Sequence, residues 1–304
     1  MDNIGLLIAK NRKKRIRFTG NQFIVTKRMI VSILGCGWYG KALAKELLQK
    51  GIVVKGSATS AEKLETLKAI GITPFIVQIN ADQINYDADF FKSDVLVISI
   101  PPGLKKGEGS AYLPKIKHII QVILDNNIQK VIYINSTGVY GDHNKTVTEN
   151  DAPNADTESG KILFEAENLF RSENIFKTTI IRFAGLVGPG RHPGRFFAAK
   201  KDIPNGLAPV NMIHLDDCVG ISSAIIEEDV FGYLFNACLP DHPTKEDFYN
   251  DAALKGGYEV PQFIHELKTW KIIESIALKP ILNYTFKIKN WKEGSFDALP
   301  QSSN

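Results

Sequence analysis

The sequence predicts an α/β fold, in which a doubly wound, mostly parallel β-sheet is joined to a small C-terminal lobe. Strand-like apolar runs alternate with helix-like segments from Met29 to about residue 188. One run, residues 94–102, is apolar on both faces, as in a sheet covered on both sides. The intervening helical segments are long enough to cross over the sheet, and such crossovers make the strands parallel.

Each element follows from its local pattern. Residues 40–51 carry Ala and Leu on one side at helical spacing, and Ser60 and Gly71 provide the N-cap and the stop of the next helix. The predicted strands are residues 29–34, 52–57, 73–79, 94–102, 130–137 and a sixth that begins at Lys177. The predicted helices are residues 40–51, 60–71, 112–127 and 158–173.

The pattern loosens from residue 189 into a stretch rich in Gly, Pro and basic residues. We predict that residues 29–304 form a single domain, with a substrate-binding lobe made mainly by residues 186–304. Arg182 ends the sixth strand, where a buried charge needs a partner, and is predicted to form a structural ion pair.

The basic character of the chain is confined to its start. The formal net charge is +4, but residues 1–28 hold eight Lys/Arg and one acid, so the remainder carries 29 basic and 32 acidic side chains. This mildly acidic body argues against a nucleic-acid partner. We interpret residues 1–28 as a basic, poorly ordered extension; a transit peptide and a short surface arm are the alternatives.

Cysteine usage and hydropathy point to a cytoplasmic protein. Cys36, Cys218 and Cys238 show neither CxxC spacing nor a metal-ligand cluster, which favours reduced thiols and no metal site. No run approaches the ~20 apolar residues that cross a bilayer, so no membrane partner is expected. We expect a small-molecule substrate and leave open a homodimer.

A glycine-rich turn between the first strand and the first helix carries the strongest signal. Gly35, Gly37 and Gly40 have G-x-G-x-x-G spacing, which leaves bare backbone for a diphosphate at a helix N-terminus. In this context the motif predicts a Rossmann-like nucleotide-binding domain; turn geometry alone is the alternative. The predicted cofactor contacts are Gly35, Gly37, Trp38, Tyr39, Gly40, Ser57, Thr59, Lys63, Ile100 and Pro101.

The second strand ends without a carboxylate, in "KGSATSAEK". A carboxylate at this position would bind the ribose hydroxyls of NAD. Ser57, Thr59 and Lys63 suit a 2′-phosphate better, so NADP is preferred over NAD. The alternative is a solvated helix cap with incidental lysines.

Four further segments resemble the short-chain dehydrogenase/reductase superfamily, on its atypical, extended, epimerase/dehydratase-like side. They are "KVIYINSTGVYGD" (130–142), "TESGKILFEAE" (157–167), "IIRFAGLVGPG" (180–190) and "VNMIHLDDCV" (210–219). The resemblance covers roughly residues 29–290. It implies hydride transfer, with Ser136 orienting the substrate oxygen and Lys161 holding the nicotinamide ribose.

The family's tyrosine is replaced by Thr157. An aliphatic hydroxyl is a poor acid at neutral pH, since its pKa lies far above 10. The proton donor is therefore open between Thr157 relaying water, Tyr140 and a group of the substrate. Tyr140 is usually structural in the family's Val-Tyr-Gly turn.

The loop in which relatives hold substrate is basic. Arg191, His192 and Arg195 suggest an anionic substrate, with a solvated mobile loop as the alternative. His214, in the family's His-x-x-Asp segment, is either structural or substrate-facing.

Three functions are compatible with these predictions. The first is an NAD(P)-dependent oxidoreductase or epimerase/dehydratase-like enzyme for a small hydroxyl or carbonyl substrate. The second is a catalytically silent, NADP-binding, redox-sensing or scaffolding protein. A sugar-nucleotide epimerase is a third, for which the C-terminal lobe looks short.

Overall fold

The computed structural model describes residues 28–103, 107, 109–294 and 296. Within them the strands are β1 (Ile30–Leu34), β2 (Val53–Ala58), β3 (Thr73–Ile79), β4 (Ile84–Tyr86), β5 (Val95–Ile98), β6 (Lys130–Ser136), β7 (Lys145–Val147), β8 (Lys177–Phe183), β9 (Gly185–Val187), β10 (Met212–His214), β11 (Leu234–Ala237) and β12 (Lys271–Ile273). The helices are α1 (Trp38–Gln49), α2 (Ala61–Lys68), α3 (Ala88–Phe91), α4 (Gly109–Asp125), α5 (Glu158–Arg171), α6 (Leu215–Glu227), α7 (Lys245–Lys255) and α8 (Leu278–Leu282). The predicted basic extension, apart from Arg28, lies outside the described residues.

The main sheet has the strand order β11-β8-β6-β5-β1-β2-β3-β4. Its neighbours pair in parallel, except that β4 runs antiparallel to β3 at the edge. The chain winds outward from β1 in both directions, so the strand order reverses between β1 and β5. The predicted doubly wound sheet is confirmed, and its crevice opens at the carboxyl ends of β1 and β5.

Several boundaries differ from the predicted ones. Helix α1 begins at Trp38, with Gly37 as its N-cap, and not at residue 40. Strand β5 ends at Ile98, before the Pro101-Pro102 pair, because proline has no amide N–H to donate to a strand ladder. Strand β4 and the three-residue strands of the C-terminal lobe were not predicted, since three residues show no usable periodicity.

The hydrophobic side chains form two clusters. The larger covers both faces of the main sheet, and the smaller joins parts of the C-terminal lobe through aromatic side chains such as Phe248, Tyr249 and Trp291. Asp217 on α6 fixes the end of the lobe, because its carboxylate accepts hydrogen bonds from the backbone N–H of Lys287 at 2.6 Å and from the Tyr284 hydroxyl at 2.9 Å. Across the described residues no helix has the length and apolar character needed to span a membrane.

Candidate dinucleotide-binding site

The three glycines of the first turn have three different roles. Gly35 has φ +92° and packs so closely on the end of β5 that a Cβ would collide with the Ser99 carbonyl. A Cβ on Gly40 would lie 2.8 Å from the Gly35 carbonyl oxygen, so this glycine lets α1 pack against the turn. A Cβ on Gly37 would meet nothing within 4 Å. Of the three glycines, only Gly37, at the N-terminus of α1, therefore faces open space.

Hydrogen bonds hold this glycine loop in shape. The Ser57 Oγ accepts from the Gly35 N–H at 2.8 Å, and the Ser57 carbonyl accepts from the Cys36 N–H at 3.3 Å. Gly37 offers α1 no side-chain cap. The first amides of α1 thus lack a side-chain partner and can bind an anion, aided by the helix dipole.

A cavity of about 870 Å³ adjoins the glycine loop, a volume within the range of ligand sites. It extends over the carboxyl ends of β1, β2 and β5 and reaches the C-terminal lobe. Eight of the predicted cofactor contacts line it: Gly35, Gly37, Trp38, Ser57, Thr59, Lys63, Ile100 and Pro101.

Among the described residues, the charged side chains that line the cavity are basic. They are Lys41 and Lys45 on α1, Lys63 on α2 and Lys115 on α4. No Asp or Glu of the described part of the chain lines it. Of these four lysines, only Lys63 was predicted from the sequence. Lys41 and Lys45 could have been found from their i, i+4 spacing just after the glycine loop.

Tyr39 lies elsewhere than predicted. Its side chain is buried between α1 and α6, where its hydroxyl donates to the Ser222 Oγ at 2.6 Å. Its ring packs edge-on against Phe183, and burial raises its pKa. The apolar residues of α1 and α6 account for this position, and Tyr39 is not among the residues that line the cavity.

The structure brings together the N-terminal turn of α5 and the turn after β6. A Cβ on Gly160 would collide with the Gly138 carbonyl, so the two segments are in close contact. The Ser136 Oγ accepts from the Gly138 N–H at 3.0 Å, which leaves its own proton free to donate. The Thr157 Oγ1 accepts from the Gly160 N–H at 3.1 Å as the N-cap of α5. Lys161, one turn later, is exposed and forms no ion pair with the described residues.

Tyr140 belongs to a buried polar network. Its hydroxyl contacts the Thr148 carbonyl at 2.8 Å and the Arg182 guanidinium, and burial raises its pKa. Arg182 makes the predicted ion pair, with Nε 2.9 Å from the Glu167 Oε2, and both side chains are fully buried. Asn135 donates to the same carboxylate at 2.8 Å. The phenol is therefore committed to protein partners.

The structure does not bring the residues that were predicted to bind substrate together in one place. Arg191 stacks on the glycine loop, with its guanidinium carbon 5.5 Å from the Trp38 ring centroid. His192 packs against Phe296 in the aromatic cluster of the lobe, and its Nδ1 accepts from the Gly194 N–H at 3.2 Å. Arg195 is exposed. Only Arg191 of these is placed beside the glycine loop.

A curated relative covers most of the chain. Protein YeeZ of Escherichia coli strain K12 is 36% identical over 245 residues, which are 79% of this chain and 89% of YeeZ. The chain belongs to the YeeZ family. No protein-family model matches the sequence.

Solved structures define the fold of this YeeZ family member. A conserved protein of Silicibacter pomeroyi DSS superposes with a TM-score of 0.70 at 20% identity, over 87% of this chain and 95% of that chain. The UDP-N-acetylglucosamine 4-epimerase of Bacillus cereus superposes with a TM-score of 0.71 at 15% identity, over 87% and 93%. The chain thus has the Rossmann-like fold of NAD-dependent epimerases and dehydratases, as the resemblance to extended and atypical short-chain dehydrogenases/reductases implied.

His214 of this YeeZ family protein caps α6, and its Nδ1 accepts from the Asp216 N–H at 3.2 Å. Burial lowers the pKa of the imidazole, against the opposing charges of Asp216 and Asp217, and Lys287 adds to the lowering. In the described residues its Nε2 has no protein partner. Those residues also contain no cluster of His, Cys, Asp and Glu suited to a metal.

The lowered pKa of His214 predicts a pH-dependent stability. The unfolded histidine titrates near its ordinary pKa of about 6.5, whereas the folded one takes up a proton only at lower pH. The neutral His214 side chain therefore makes its full contribution to stability above about pH 6.5, the pKa of the unfolded state, and this contribution is lost as the pH falls below that value. We expect His214→Asn, which keeps a capping side chain, to lose less stability than the parent between about pH 8 and about pH 5.5 in thermal unfolding. An equal loss would contradict the assignment.

Proposed function

We propose that this YeeZ family protein binds NADP, in preference to NAD, and acts as an oxidoreductase or epimerase/dehydratase-like enzyme on a small hydroxyl or carbonyl substrate. The cavity supports the proposal, because the open face of Gly37, the uncapped start of α1 and four lysines of the described residues meet in one space. These features suit a dinucleotide with an additional phosphate.

The residues present fit this cofactor. The first amides of α1 would hold the diphosphate, and the absent side chain of Gly37 lets it approach. Lys63, beside the end of β2, would hold the 2′-phosphate together with the Thr59 hydroxyl. Ser57 shapes the loop, since its Oγ is already bonded to the Gly35 N–H.

The chemistry of the substrate side depends on hydroxyl groups. The nicotinamide, when bound, supplies hydride transfer to or from a carbon that bears oxygen. The Ser136 hydroxyl would donate to that oxygen, and the exposed Lys161 ammonium would hold the ribose. Because the Thr157 hydroxyl is an aliphatic alcohol and a poor acid, and the Tyr140 phenol is buried, a water relayed by Thr157 or a substrate group would supply the proton.

An anionic substrate is the second part of the proposal. Arg195 is exposed in the same lobe, next to the segment that approaches the glycine loop. A carboxylate or phosphate on the substrate would be attracted to this side of the crevice.

The alternative is an NADP-binding protein without turnover. The weak acidity of the Thr157 hydroxyl and the burial of the Tyr140 phenol among protein partners favour it. Calorimetry with NADP and NAD tests the shared binding claim. A panel of aldehydes, ketones and hydroxy acids separates the two functions: absorbance at 340 nm detects net oxidation or reduction, and NMR detects epimerised or dehydrated products, whose formation leaves the coenzyme unchanged overall. Binding with neither a change at 340 nm nor such a product would favour the silent protein. No heat with either coenzyme would reject both.

Lys63→Gln tests the coenzyme preference. We expect about a tenfold loss of NADP affinity and little change for NAD, because the variant removes one cation near the 2′-phosphate. Lys68→Gln is the matched control, since Lys68 is exposed on the same helix and does not line the cavity. Calorimetry measures both coenzymes. A parallel loss for NAD and NADP would place Lys63 away from the 2′-phosphate.

A further inference from the structure

The indole of Trp38 joins the glycine loop to the C-terminal lobe. Its Nε1 donates to the Pro189 carbonyl at 2.7 Å, across 151 positions of the sequence. Trp38 and Pro189 both line the cavity. The wall of the cavity is therefore closed at this point by a direct contact between the two parts of the chain.

Pro189 lies in a tight turn that ends with Arg191. The Arg191 N–H donates to the Gly188 carbonyl at 2.8 Å, and Gly190 has φ +74°, a conformation that glycine adopts readily. Because the Trp38 indole binds the carbonyl of Pro189 in the middle of this turn, it fixes the backbone position from which the Arg191 side chain extends.

The Arg191 side chain is an exposed cation placed over the same indole. Its guanidinium carbon lies 5.5 Å from the ring centroid, within cation–π range. No carboxylate of the described residues pairs with it. The guanidinium thus lies beside the start of α1 with its N–H donors available.

We propose that Arg191 is a cofactor-binding residue, which contacts the diphosphate of the dinucleotide at the glycine loop, and that Trp38 is the residue that positions it. This inference rests on the proposed function. The open face of Gly37 places the diphosphate next to Trp38, and a guanidinium binds phosphate oxygens through paired, charge-assisted hydrogen bonds. Arg191 thereby changes role from a predicted substrate ligand to a cofactor ligand.

Two ligands separate the diphosphate contact from the rest of the site. NADP and adenosine 2′-monophosphate share the adenosine and the 2′-phosphate, but the monophosphate has neither phosphate of the diphosphate bridge. By calorimetry, we expect Arg191→Gln to weaken NADP about tenfold and adenosine 2′-monophosphate less than about twofold. Arg191→Lys should recover part of the affinity, as a point charge without the paired donors.

Trp38→Phe tests the positioning role. It keeps an aromatic face for Arg191 but removes the N–H that binds Pro189, and we expect about a threefold loss of NADP affinity with the affinity for adenosine 2′-monophosphate unchanged. Lys200→Gln is the matched control, because Lys200 is another cation over an aromatic ring of the same lobe but lies 5.4 Å over the Phe197 ring, whereas Arg191 lies over Trp38. Its NADP affinity should equal that of the parent.

Three results overturn the inference. Unchanged NADP affinity in Arg191→Gln would show that Arg191 does not contact the cofactor, and equal losses for NADP and adenosine 2′-monophosphate would place the contact away from the diphosphate. A parent protein that binds neither ligand would reject the proposed function as well. Binding of both ligands by the parent with an unaffected Arg191→Gln rejects the inference alone.

Discussion

Gly37→Val is expected to abolish NADP binding while the protein stays folded. A Cβ at this position meets no protein atom within 4 Å, and φ is −83°, a value that residues with side chains adopt. The isopropyl group would instead occupy the space through which the diphosphate reaches the amides of α1. We expect at least a ~100-fold loss of affinity by calorimetry. The thermal midpoint should remain close to that of the parent.

Gly40→Ala in the same loop is the matched comparison. Its Cβ would lie 2.8 Å from the Gly35 carbonyl oxygen and 3.1 Å from the Ile33 Cγ2. We therefore expect a loss of unfolding free energy of about 1–3 kcal/mol from overpacking. Gly37→Val thus tests a contact with the ligand, whereas Gly40→Ala tests a packing contact within the protein. Unaltered NADP affinity in Gly37→Val would show that the diphosphate binds elsewhere.

Arg182→Met should lower the free energy of unfolding by about 3–5 kcal/mol, because it leaves the Glu167 carboxylate buried without its main counter-charge. Both side chains have zero exposure, and the pair joins α5 to β8. The change also removes the guanidinium that contacts the Tyr140 hydroxyl. Urea denaturation monitored by circular dichroism measures the loss.

The control for this experiment uses the same carboxylate. Arg171 approaches the Glu167 Oε1 at 3.4 Å, but its side chain is 54% exposed. Arg171→Gln should therefore change stability by no more than about 0.5 kcal/mol. The double variant Arg182→Met, Glu167→Leu should recover part of the loss, since no buried charge remains. Equal losses of unfolding free energy in Arg182→Met and Arg171→Gln would show that burial of the ion pair does not determine its contribution to stability.

The sequence predicts the parts of the site that depend on local pattern. The strand-to-helix context of Gly35, Gly37 and Gly40 is local, and so are the buried runs that became β1 and β5. The fold and the glycine loop could be placed on the sequence for this reason.

Other parts depend on contacts between distant residues. Tyr39 and Tyr140 lie in recognisable motifs, but the packing of α6 and β8 decides that both phenols are buried. Trp38 meets Pro189 across 151 positions, and Lys115 reaches the cavity from α4; no local pattern marks either. The coenzyme preference is an intermediate case, because Lys63 follows β2 directly whereas Lys41 and Lys45 act from another helix.

The capping bond of Thr157 has a consequence for attempts to restore the family's phenol. A tyrosine at this position would leave the Gly160 amide without its side-chain acceptor, and losing such a cap costs about 1 kcal/mol. The substitution would thus perturb the start of the very helix that must aim the new ring and Lys161. Position 157 would thus have to provide the acid and also cap α5, and a tyrosine cannot do both. A variant that restores the phenol therefore also needs a new hydrogen-bond acceptor for the Gly160 N–H.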